Sequence, residues 1–170
     1  MNDGGGVRQR LIEWQDPAAA ARLGRGLSGI DFLSAMQAGR IPPPPVTTLL
    51  GFRLAEVAAG RVVMELDPAE FHYNPLASVH GGIVATLLDS VMGCAVHSTL
   101  PRGRGYTTLE IKVNYVRAIT AATGRVRAEG TTIHVGRQTA TAEGRLVDTA
   151  GRLYAHATTT CLVFALPEPE

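Results

Sequence analysis

The stretch 81-GGIVATLLDSVMGCAVHSTLP-101 decides the architecture of this 170-residue chain. Ile83, Val84, Leu87, Leu88, Val91 and Ala95 recur at helical spacing on one side, which predicts a helix from about Gly82 to Ser98. Pro101, Gly103 and Gly105 then break the chain. A helix this apolar needs covering over most of its surface, and a curved sheet wrapped around it would provide that. Asp89 is the only formally charged residue in the run. A carboxylate inside such a helix is costly unless paired or neutralised, and the cost is best tolerated where the group does chemistry.

Outward from the helix the pattern turns to strands. Upstream, Leu49–Val57 and Arg61–Leu66 flank Ala59-Gly60 and read as a hairpin, with Val62, Met64 and Leu66 alternating against polar or smaller partners. Residues Pro68–Val79 lack periodicity and read as a loop that delivers the chain to the helix. Downstream, Tyr106–Arg117, Thr123–His134, Gln138–Val147 and Leu153–Phe164 are rich in Thr, Val and Tyr and alternate well. Their short connections imply a mostly antiparallel meander. The expected fold is therefore α+β, with a long central helix wrapped by a curved antiparallel sheet of five to six strands. This main domain covers residues 47–166. Residues 1–46 form an N-terminal extension: a loose tail to about residue 28, short helices near Pro17–Leu23 and Ile30–Ala38, and an extended Pro42–Pro45 connector.

Composition narrows the function. Apolar residues make up 45% and charged residues 18%, as in globular rather than disordered chains. A net charge of +1 argues against a dedicated nucleic-acid binder. From Pro101 to Arg152, eight Arg plus Lys112 stand against Glu110, Glu129, Glu143 and Asp148, a local balance of +5 that suits a small polyanionic ligand. The apolar helix is too interrupted to span a membrane, and no basic segment leads into an apolar run at the start, so a cytoplasmic location is expected. Cys94 and Cys161 show no metal-ligand spacing and read as packed thiols in a reducing compartment. His72, His97, His134 and His156 share no ligand spacing either, so neither a metal nor a cofactor is expected.

The polar residues around Asp89 are few. Asn74 lies in the preceding loop, where it also suits a turn before Pro75. His80-Gly81-Gly82 sit at the helix start, whose first N–H groups have no intrahelical acceptor and lie at the positive end of the dipole. They form a donor site for a carbonyl oxygen that gains negative charge. Asp89 is seven residues beyond Gly82, roughly 10 Å along the axis. It cannot reach an atom held at the start of its own helix, whereas a dimer could bring one subunit's carboxylate to the other's amides.

The pattern Asn74-x5-His80-Gly81-Gly82-x6-Asp89, followed by the Thr107–Tyr115 strand, resembles the hot-dog-fold acyl-CoA thioesterases of the phenylacetate-degradation type. The order of elements from Leu49 to Phe164 shares the likeness, and 32-FLSAMQAGRIPPPPVTTLLGF-52 resembles the N-terminal extension of bacterial members. The resemblance implies hydrolysis of an acyl- or aryl-CoA to the free acid and CoA, in a homodimer with two shared sites or a homotetramer. It implies that the Gly81 N–H and the Asn74 side chain polarise the thioester carbonyl. Asp89 of the partner subunit is then nucleophile or general base, and His80 positions the donors or the leaving thiolate. Thr108, or Thr107 if the register slips by one, stands where some members have a water-orienting Ser. Gly82, Arg102 and Arg137 are candidate substrate contacts, the arginines for CoA phosphate, although a solvated loop and a hairpin turn also explain them. The same fold also carries acyl-thioester hydratases, which pair an Asp with a His five residues later; here that place holds Cys94. A non-catalytic acyl-CoA-binding module is the remaining alternative.

Overall fold

The structure is a computed structural model that describes residues 6–167. The first five residues of the expected tail therefore lie outside the described residues. Three helices precede the sheet: α1 (Pro17–Gly24), α2 (Gly29–Gln37) and α3 (Pro45–Leu50). Asp16 caps α1 and Ser28 caps α2, each accepting a first-turn N–H on its side-chain oxygen. Ala20, Ala35 and Ile41 form a small core of their own, and Phe32 packs against both it and the main core.

The hairpin is β1 (Phe52–Ala58) and β2 (Arg61–Leu66), turned at Gly60 with φ 77°. The expected strand start at Leu49 is corrected, because Leu49 and Leu50 close α3. Pro45 likewise opens α3 rather than ending an extended connector. Proline suits a first helical position, where no N–H is needed, and Gly51 ends the helix in the left-handed region with φ 78°.

The central helix, α4 (Gly81–His97), is followed by β3 (Arg104–Tyr115), β4 (Val126–Val135), β5 (Thr139–Asp148) and β6 (Leu153–Ala165). All six strands form one antiparallel sheet in the order β1-β2-β4-β5-β6-β3. The meander holds only for β4 to β6. After α4 the chain runs to the far edge, where β3 pairs with β6, and then returns to place β4 beside β2.

Leu87, Leu88, Val91, Met92, Ala95 and Val96 of α4 are wholly buried against this sheet. Gly130 and Gly144 are cross-strand partners beneath the helix. A Cβ on Gly130 would lie 2.5 Å from the Val91 carbonyl oxygen, and one on Gly144 would lie 3.0 Å from Met92 Cγ. The two glycines let the backbone of the sheet approach the helix closely.

Candidate active site

One face of α4 looks towards α2 and the edge strands β1 and β3. Asp89, Ser90, Gly93, Cys94 and His97 recur one helical turn apart along it. All of them except Gly93 line a cavity of about 570 Å³, which α2, α3, β1 and β3 complete. Asp89 is half-buried at the cavity wall. The Thr108 hydroxyl donates to Asp89 Oδ1 at 2.8 Å. This settles the strand register, because alternation leaves Thr107 exposed on the other face. The pairing of β3 with β6 shifts between Thr108 and Glu110, directly after this contact.

Two thiols flank the carboxylate. Burial, reinforced by the charge of Asp89, pushes the Cys94 thiol up to about 12. Burial also raises Cys161, and Asp89 acts in the same direction. Both stay protonated near neutrality, so neither is an activated thiolate. Burial lowers the pKa of His97 and keeps the ring neutral. That ring stands 5.6 Å from Phe32 and 5.6 Å from Tyr106. Ser90, His97 and Tyr106 share the Asp89 cavity without having stood out in the sequence. The signal was present as a stripe of small and polar residues at four-residue spacing, but it was masked by the stronger apolar stripe beside it.

The second group of residues lies at the start of α4. His80 is the N-cap, and its Nδ1 accepts the Gly82 N–H at 2.8 Å. The Gly82 amide is therefore consumed by the cap. The Gly81 N–H has no backbone acceptor among the described residues. The Gly81 carbonyl accepts from the Tyr115 hydroxyl at 3.0 Å. Asn74 Oδ1 accepts from the N–H of Leu76 (2.9 Å) and from the N–H and hydroxyl of Ser78 (both 3.3 Å). This turn, with Ala77 held at φ 57°, fixes the side chain while leaving its NH2 group available to donate. Asn74, Gly81 and Tyr115 line a second cavity of about 310 Å³.

Within one chain the two groups stay apart. Gly81 and Asp89 are separated by eight helical residues, roughly 12 Å along the axis. Arg102 and Arg137 are exposed and line neither cavity. Arg104 donates to the Arg137 carbonyl at 2.6 Å, which ties the start of β3 to the turn between β4 and β5. The local excess of positive charge is smaller than the sequence balance implied. Arg125 and Arg127 pair with Asp67 and Glu56 from the preceding segment.

Residues 76–155 match the thioesterase superfamily. The 1,4-dihydroxy-2-naphthoyl-CoA hydrolase of Listeria monocytogenes is 25% identical over 104 residues, which are 61% of this chain and 83% of that protein. Human acyl-coenzyme A thioesterase 13 is 32% identical over 63 residues, 37% of this chain and 44% of that protein. The chain spans about half the length of most curated relatives it matches. A solved phenylacetic acid degradation-related protein from Ralstonia eutropha superposes with TM-score 0.70 at 30% identity, over 76% of this chain and 98% of that one. With its long helix held in a six-stranded antiparallel sheet, the chain belongs to the thioesterase superfamily and has the hot-dog fold.

Proposed function

We propose that this protein is an acyl-CoA thioesterase whose active site is assembled from two copies of the chain. The observation that carries the reading is the placement of its two half-sites along β3. Thr108, near the start of the strand, holds Asp89, and Tyr115, at its end, holds Gly81. β3 is an edge strand of the sheet, 12 residues long, with Leu109 and Tyr115 exposed. Such an edge is a template for pairing with another strand. Antiparallel pairing of β3 with its own copy, centred near Ile111 and Lys112, places position 108 of one strand opposite position 115 of the other. Asp89 of each subunit then approaches the Gly81 and Asn74 donors of its partner.

In that arrangement the Gly81 N–H and the Asn74 NH2 donate to the thioester oxygen as it gains negative charge. Removing one such donor costs about 2.7–4 kcal/mol in systems of this type. Asp89, oriented by Thr108, attacks the carbonyl carbon or takes a proton from the attacking water. CoA leaves as the thiol. His80 acts indirectly, by fixing the amides of the first turn. Arg102 and Arg137, exposed on neighbouring loops, supply cations for the CoA phosphates. Hydration chemistry lacks its base here, since the fifth residue after Asp89 is the protonated Cys94. The two unpaired thiols favour a reducing, cytoplasmic setting.

The test is release of free CoA from a panel of acyl-CoAs, with Asp89→Asn as the paired variant. The reading requires turnover by the wild type and its loss in a variant with an unchanged circular-dichroism spectrum. Mixing inactive Asp89→Asn with inactive Asn74→Ala should restore about a quarter of wild-type activity, because half the dimers then carry one intact site. If no activity returned on subunit exchange, the shared site would be excluded.

A further inference from the structure

The cavity beside Asp89 is walled on one side by the N-terminal extension. α2 is fixed there at both ends. At its start the Gly29 N–H donates to the Leu100 carbonyl at 2.9 Å, and a Cβ on Gly29 would lie 1.7 Å from the His97 carbonyl oxygen. No residue but glycine permits this approach of α2 to the end of α4. At its other end Gln37 donates to the Ala55 carbonyl of β1 at 2.6 Å. α2 is therefore a built wall rather than a loose flap, and α3 continues it through Val46 and Thr47.

The chemistry of the lining selects what can enter. Phe32, Leu33, Met36, Phe52, Leu54 and Met64 present apolar surface. Arg53 also lines the cavity, but its guanidinium is engaged by Glu65 at 2.6 Å and Asp67 at 3.4 Å. His97 carries no charge near neutrality, since burial lowers its pKa. Among the described residues, the wall thus offers no free cation to a carboxylate at the end of an acyl chain. Its length follows from the helix: Asp89 and His97 are eight residues, roughly 12 Å, apart. Phe32 and Tyr106 stand against His97 at that far end, with the Tyr106 hydroxyl reaching back over Gly93. An extended chain advances roughly 1.2 Å per bond, so about ten carbons fill the distance.

We infer that α2 and α3 form the acyl-binding wall of the Asp89 cavity, and that Phe32, His97 and Tyr106 limit the substrate to an uncharged hydrophobic acyl group of roughly ten carbons. This rests on the thioesterase reading above and adds the substrate class to it. The volume of about 570 Å³ lies within the range of pockets that enclose a small hydrophobic ligand.

The experiment measures kcat/KM for acetyl-, butyryl-, octanoyl-, decanoyl-, palmitoyl- and succinyl-CoA. The expected optimum is octanoyl to decanoyl, with succinyl well below butyryl. Phe32→Ala should move the optimum towards longer chains. Met36→Trp, which fills the cavity, should lower the decanoyl-to-butyryl ratio about tenfold by excluding one or two methylenes. Should Phe32→Ala fail to fold, the Met36→Trp ratio decides alone. A wild type that releases CoA from no ester overturns the thioesterase reading and this inference with it. Turnover with succinyl-CoA preferred, or a chain-length profile unmoved by the folded variants, overturns this inference and leaves the thioesterase reading standing.

Discussion

Replacing Thr108 by Val removes one hydroxyl and little volume, yet it should cost the enzyme much of its turnover. The Thr108 Oγ1 donates to Asp89 Oδ1 at 2.8 Å, a hydrogen bond to an acidic side chain at a cavity wall. Bonds to charged groups contribute about 1.5–3 kcal/mol. If the bond orients the carboxylate for attack, its loss converts to a fall in kcat of roughly 10- to 150-fold. KM should move little, because the group does not bind substrate. Thr108→Ser keeps the donor and should recover most of the rate. The combination Asp89→Asn with Thr108→Val should be no slower than Asp89→Asn alone, since the hydroxyl acts through the carboxylate. Steady-state thiol release measures all four variants. A Thr108→Val enzyme with kcat within twofold of wild type would refute the assignment, as would full additivity in the double variant.

Three further outcomes test the fold and its titrating groups. Gly130→Ala forces a methyl to within 2.5 Å of the Val91 carbonyl oxygen, a backbone atom that cannot swing aside. Thermal denaturation should show a loss of about 1–3 kcal/mol, a drop in Tm of roughly 3–10 °C. His72 is buried, its Nδ1 accepts the Ala69 N–H, and its Nε2 meets the Leu50 carbonyl at 2.7 Å. Burial lowers the pKa of both His72 and His97, so the unfolded chain takes up protons that the folded one refuses. Stability is therefore complete above the unfolded value of about 6.5 and declines as pH falls from there towards the depressed folded-state values. His72→Gln should flatten that decline in Tm-against-pH scans. Iodoacetamide should label Cys94 over a thousandfold more slowly than a free thiol at pH 7, as expected for a thiol held at about 12. Rapid labelling of the native protein would contradict the protonated thiol.

The legible parts of this molecule are those governed by local periodicity. Alternation exposed all six strands within a few residues, and the apolar spacing of Val84, Leu87, Leu88 and Val91 gave α4 to within one residue at each end. The start of β1 was misplaced because Val46, Leu49 and Leu50 are as apolar as a strand. Only the pairing of Pro45 at the first helical position with left-handed Gly51 closes them into α3. Asn74 was legible as a turn former, and the structure shows its side-chain oxygen closing that turn. The wall of the acyl cavity was illegible. It joins Phe32 to His97 across more than sixty positions of sequence, and no periodicity spans such a gap.

By itself the sequence determined the six strands and the central helix, the single charge on α4, and the separation between that charge and the amides at the helix start. These follow from residue type and helical rise, which act over a few residues. Tertiary structure alone decided that β3 leaves the meander for the sheet edge, that Thr108 rather than Thr107 meets Asp89, and that α2 closes the cavity. Each depends on packing between distant segments: β3 against β6, the glycine-lined hollow that seats α4, and the Gly29 contact that docks the extension. Asp89 could be read as exceptional from its neighbours in sequence, but its surroundings came only from its neighbours in space.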